Sequence, residues 1–143
     1  MKFLLLMTFI SVQVFAKITF IQPHIAHVIP GSKITAAFLK IKNDSDKPVD
    51  LISAKSDWAK TIELHTHEME EGVMAMRKVD RMTVPANGTL VLKSKSMHIM
   101  IFKIQEDLKL NSKKKIDLTF NNGMTYAVEF KVQNIYADDY KYP

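Results

Sequence analysis

From Lys17 onward the chain reads as short runs of β-branched, aromatic and aliphatic residues, each cut off by Gly, Pro, Asn or Asp before a helical period can develop. The runs are 17–22, 34–42, 49–53, 61–65, 73–79, 89–93, 97–103, 115–121 and 124–132. Many short strands at close spacing suit a sandwich or barrel, because each strand buries one face and needs a second layer to cover it. The runs are punctuated by Pro30-Gly31, Asn43-Asp44-Ser45-Asp46, Pro85-Ala86-Asn87-Gly88 and Asn121-Asn122-Gly123, the last a tight-hairpin signal that favours antiparallel pairing. The expected fold is therefore all-β, an antiparallel sandwich or barrel in a single domain over 17–133, with 134–143 as a surface strap or frayed end. Asn43-Asp44-Ser45 and Asn87-Gly88-Thr89 match the glycan acceptor pattern, but both sit where turn chemistry is wanted and are read as turns. Trp58 is read as a packing residue.

The first sixteen residues differ in kind. A basic start at Lys2, an apolar run through Ile10 and a small residue at Ala16 form the pattern of a signal peptide, removed on export as residues 1–16. The run is too short for a membrane span, which needs about 20 apolar residues. The formal charge is +5, with lysines scattered apart from Lys113-Lys114-Lys115. Such a surface is mildly basic and lacks the clustering of a nucleic-acid footprint. The chain has no cysteine, which excludes a disulfide framework, thiol catalysis and a cysteine-ligated blue-copper centre.

What remains is a set of soft, neutral donors. His65, Met76, His98 and Met100 follow one another at gaps of ten, twenty-one and one residue. Imidazole alone serves several transition metals, whereas thioether sulfur is unattractive to hard cations, so the mixture favours Cu(I). Alternation along a strand places His98 and Met100 on one face while Ile99 and Ile101 turn to the other, toward a core. Methionine is also an ordinary core filler, and any one of these residues has a structural reading. Their density weighs against that for the group. Met69, Met74, Met76, Met82, Met97 and Met100 all lie between His65 and the end of the 97–103 run, together with His67 and His98. His67, Met69 and Met74 are expected at the rim of a site, and His24 and His27 to be solvated or locally bonded.

Spacing also carries a family resemblance. Glu63-Leu64-His65, Gly72-Val73-Met74 through Met76-Arg77, Val84-Pro85-Ala86 and His98-Ile99-Met100 resemble the periplasmic copper chaperones called PCu(A)C, and Pro30-Gly31, Ala36-Ala37-Phe38 and Asn43 resemble the family's early strand. The resemblance implies a cupredoxin-like β-sandwich that binds Cu(I) through His65, Met76, His98 and Met100. It further implies delivery of copper to the CuA-bearing subunit of cytochrome c oxidase, alongside Sco-type proteins, by a periplasmic monomer that is not an enzyme. One departure is visible: members usually carry a glycine pair before the His-x-Met strand, where this chain has Lys95-Ser96-Met97.

Two rival classes have distinct requirements. A small metal-dependent enzyme, with Glu63 or Glu68 as base, needs a third nitrogen or oxygen ligand and an open water position. A metal-free interaction module needs the methionines and histidines buried and dispersed.

Overall fold

A computed structural model describes residues 17–135, and the expected signal peptide and most of the tail lie outside them. Ten strands follow one another, β1 (Ile18–Ala26), β2 (Ile34–Asn43), β3 (Val49–Lys55), β4 (Ala59–Glu70), β5 (Val73–Val79), β6 (Met82–Val84), β7 (Gly88–Leu92), β8 (His98–Ile104), β9 (Lys113–Phe120) and β10 (Thr125–Gln133). All nine expected segments are strands. The tenth, β6, is three residues long, too short for alternation to show in the sequence.

The strands form one continuous sheet in the order β5-β4-β8-β2-β1-β10-β9-β3-β6, with β7 added to β2. The far strand β6 lies against β7 and β2, so the sheet folds over its own inner face as a cupredoxin-like sandwich. Alternation supplies the core between the layers: Ala37, Leu39 and Ile41 from β2, Ile99 and Ile101 from β8, Ile116, Leu118 and Phe120 from β9, and Val128, Phe130 and Val132 from β10. Trp58 is buried among them and its indole N–H donates to the Lys115 carbonyl at 2.9 Å.

Not every pair is antiparallel. β1 runs parallel to β10, with His24 beside Lys131, and it reaches four residues beyond its expected end. The extension depends on an irregularity between Ile21 and His24, where Gln22 has a φ of 49°. Pro23, which has no N–H for a ladder, is thereby taken out of the pairing. Asn43 is fully buried at the end of β2, its amide donating to Lys47 O while its oxygen accepts from the Ser45 amide and hydroxyl, as the turn reading requires.

Two features of connection place the functional face. Glu71 and Gly72, with φ values of 49° and 80°, form a two-residue turn of the kind that continues strand twist, so β4 and β5 make a long hairpin from Leu64–Val79 to Glu70–Val73. On β2, one edge serves β7 at Leu39 to Asn43 and β8 at Ile34 to Ala37, so residues 93–97 leave the sheet between them. Ile101 is fully buried on the inner face of β8. Ile101→Ala is expected to cost about 2–5 kcal/mol of unfolding free energy in urea titration, from lost burial and an unfilled cavity.

Candidate metal centre

β4 lies between β5 and β8, and its register decides which donors meet. His65 is directly opposite His98 on β8, with ring centroids 5.8 Å apart. Met100 is opposite Glu63, which makes it the diagonal neighbour of His65. On the other side Met76 is opposite His67, and it too is diagonal to His65. Direct cross-strand neighbours have Cβ atoms about 5 Å apart and diagonal ones about 7–8 Å, within reach of long side chains. On this face His65 therefore has His98 and Lys78 as its direct cross-strand neighbours, the lysine 3.9 Å from Glu63, and Met100 and Met76 as its diagonal ones.

Burial grades across this face. His98 is 3% exposed, packed against His67 at a centroid separation of 5.3 Å and Phe38 at 6.4 Å. The His65 side chain is 12% exposed, with Phe102 on its far side at 6.0 Å. Met76, on the last strand of the sheet, is 52% exposed.

Hydrogen bonds orient the rings. Nδ1–H of His98 donates to the Ser96 carbonyl at 2.9 Å, and Nδ1–H of His67 donates to the same oxygen at 3.1 Å. Each bond fixes a tautomer whose Nε2 keeps its lone pair. His65 is oriented the other way: Nε2–H donates to Glu63 Oε2 at 2.7 Å, while Nδ1 is buried without a hydrogen-bond partner. An unsatisfied buried acceptor costs about 1–3 kcal/mol, and a cation on that lone pair would remove the penalty. The donors fit a soft metal ion on this observation. Among the described residues no three of His, Cys, Asp and Glu are placed to hold an ion together, so an ion held on this face would need thioether sulfur as well.

The remaining sequence candidates are sorted by the same register. His67, Met69 and Met74 share the face of His65, toward the hairpin tip. Met82 is a core residue and Met97 packs against the core, so the methionine cluster is part donor and part filler. His24 bonds Gln22 O through Nδ1, and the Phe38 ring lies between it and His98, tilted against His24 at a centroid separation of 5.5 Å. Glu63 lies two residues before His65 on the same strand, where parity alone puts it on the same face. The Ser96 carbonyl had no sequence signal, because a backbone atom in a turn carries none.

Known proteins bear on this geometry. The family model described as "Putative lipoprotein LpqE-like" matches residues 18–132. Solution structures of DR1885 from Deinococcus radiodurans share the fold, and its Cu(I) form is 31% identical over 78% of this chain and 75% of that one, with a TM-score of 0.65. The chain belongs to the PCu(A)C family. A copper-bound PCuAC domain from PmoF2 superimposes with a TM-score of 0.71 over 85% of this chain and all of that one, at 14% identity, a likeness of fold. The Leifsonia xyli subsp. xyli protein named "Putative lipoprotein Lxx21020" is 30% identical over 105 residues, and the match spans 63% of that relative's length.

In this PCu(A)C chain the turn before the His-x-Met strand is Lys95-Ser96-Met97, where the resemblance predicts a glycine pair. Lys95 takes the left-handed conformation, with a φ of 61°, and the turn is closed by Ser96 N–H to Lys93 O and Lys93 N–H to Met97 O. A side chain in that region costs about 1 kcal/mol, so Lys95→Gly is expected to stabilise the domain by about that amount in denaturant titration while leaving the Ser96 carbonyl in place.

Burial pushes the His98 pKa below its usual 6.5, outweighing the Ser96 carbonyl bond that raises it, and charge on His67 or His65 would lower it further. As pH falls, the unfolded chain takes up a proton at this position first. The stability contributed by neutral His98 is therefore complete above about 6.5 and is lost as pH drops from there through the folded pKa. Ring-proton NMR of the metal-free protein is expected to give a midpoint for His98 below 6.5; a midpoint at or above it would contradict the packing described.

Proposed function

We propose that the domain is a periplasmic Cu(I) carrier that holds copper through His65, Met76, His98 and Met100 and delivers it to the CuA-bearing subunit of cytochrome c oxidase. The observation that carries this reading is the buried, unpartnered Nδ1 of His65, in a register that gives it one imidazole directly opposite on β8 and a thioether on each diagonal, with Lys78 opposite on β5 turned to Glu63. The Cu(I) form of DR1885 supports the choice of metal and oxidation state. The lipoprotein relative and the basic, apolar start of this chain support export, with residues 1–16 as the signal peptide and 17–133 as the copper-binding unit.

Transfer is by ligand exchange, with no net redox step. His65, His98 and both methionines are neutral, so Cu(I) bound to them keeps a single positive charge and is not locked by an anionic donor. Met76 sits on an edge strand and is half-exposed, so it is the donor an incoming partner displaces first. Met100 and His65 follow, and His98, the most buried, releases last. The recipient then needs donors at least as soft, which a CuA centre has in its thiolates. A carrier of this kind works as a monomer, alone or beside a Sco-type protein.

Met76→Leu and Met100→Leu remove sulfur while keeping volume, so each should leave unfolding free energy within about 1.5 kcal/mol of the parent. Each is expected to weaken Cu(I) binding by more than about tenfold, the lower end of what loss of even an outer-sphere partner costs. Competition with a Cu(I) chelator measures this, and unchanged affinity in both variants overturns the ligand assignment. Copper transfer from the loaded protein to an isolated CuA domain, followed by the visible absorption of the CuA centre, tests the recipient.

A further inference from the structure

The β4–β5 hairpin extends beyond the His65–His98 pair, and its outer end carries soft donors that the proposed carrier site leaves unused. Met69 is directly opposite Met74, and one step inward His67 is directly opposite Met76, all on the face that holds His65. Met69 is 68% exposed and Met74 50%. Two large apolar side chains paired at a hairpin tip and open to solvent gain little from burial. On the opposite face of the hairpin Arg77 pairs with Glu68 and Glu70, a cross-strand brace for the strands that present the methionines.

We propose that Met69 and Met74, with Met76 as a shared third donor, form a second and outer Cu(I) site, from which the ion passes inward to His65 and His98. The proposal rests on the Cu(I)-carrier reading of the inner face. Direct cross-strand neighbours have Cβ atoms about 5 Å apart, close enough for two methionine sulfurs to reach one ion at metal–sulfur distances of about 2.3 Å. The outer pair is the part of this face most distant from the inner imidazoles: Met69 lies four residues along β4 from His65, about 13 Å at strand rise, with the His67–Met76 pair between them.

Met76 is the hinge of the arrangement. Its direct partner is His67, and its two diagonal neighbours on β4 are His65 on the inner side and Met69 on the outer side. A single thioether can therefore bond an ion at either position, and exchange of the other ligands around it moves copper from one to the other. No electron is transferred: an outer methionine leaves as an inner imidazole lone pair binds. Three neutral thioethers on an exposed hairpin make a weaker site than one with two histidines, as suits uptake ahead of retention.

Cu(I) titration of the purified protein against chelators of graded affinity, with methionine methyl NMR as a second readout, tests the outer site. The parent is expected to take a tight equivalent and then a weaker one that shifts the methyl signals of Met69 and Met74. M69L/M74L, a volume-conserving change at exposed positions, is expected to lose the weaker equivalent while the tight affinity changes less than about threefold. M100L is expected to do the reverse, and M76L to weaken both. If M69L/M74L binds Cu(I) in the parent's amount and affinity at both steps, or the parent shows only the tight step, the outer site is overturned and the carrier reading stands. If the parent binds no Cu(I) tightly, the carrier reading itself fails.

Discussion

The arrangement depends on strand β8 being used on both faces at once. Ile99 and Ile101 are fully buried in the core, which fixes the strand's rotation and register, and His98 and Met100 are presented on the other face as a consequence. Slipping β8 by one residue would take two isoleucines out of the core and put a histidine and a methionine in their place. The burial of two isoleucines is worth several kcal/mol, about 1.5–3 for each, and that energy holds the donors in place without any metal present.

Rigidity is not uniform across the face. His98 is packed under Phe38 and His67 and tied to the Ser96 carbonyl, whereas Met76 stands half in solvent on the terminal strand. One turn, residues 93–97, positions two imidazoles through a single oxygen, because the chain leaves the edge of β2 between β7 and β8 just above them. For the proposed carrier, a buried imidazole floor would give retention and the half-exposed thioether of Met76 on the terminal strand would give exchange.

Much of this was legible in the chain. The nine strand segments, the Asn43 turn and the inward direction of Ile99 and Ile101 follow from alternation and turn chemistry, which are local. The strand β6 was not legible, since three residues carry no period, and neither was the parallel pairing of β1 with β10, which depends on a bulge at Gln22 and Pro23. The methionines show the boundary well. Met69, Met74, Met76, Met82, Met97 and Met100 look alike in composition, yet Met82 fills the core and Met76 is exposed, because burial is a property of the face and not of the residue type.

The sequence by itself determined the donor inventory, with no cysteine and with soft neutral ligands at fixed separations, and it determined the strand parity that pairs His98 with Met100. Local rules reach that far because alternation is set by neighbouring residues. Which histidine meets which methionine was decided by cross-strand register, His65 with His98 and His67 with Met76, and register is fixed by the hydrophobic match between whole strands and by the Glu71-Gly72 turn. The buried, unpartnered nitrogen of His65 was likewise a product of tertiary structure, because it exists only once Glu63, Phe102 and His98 have closed around the ring.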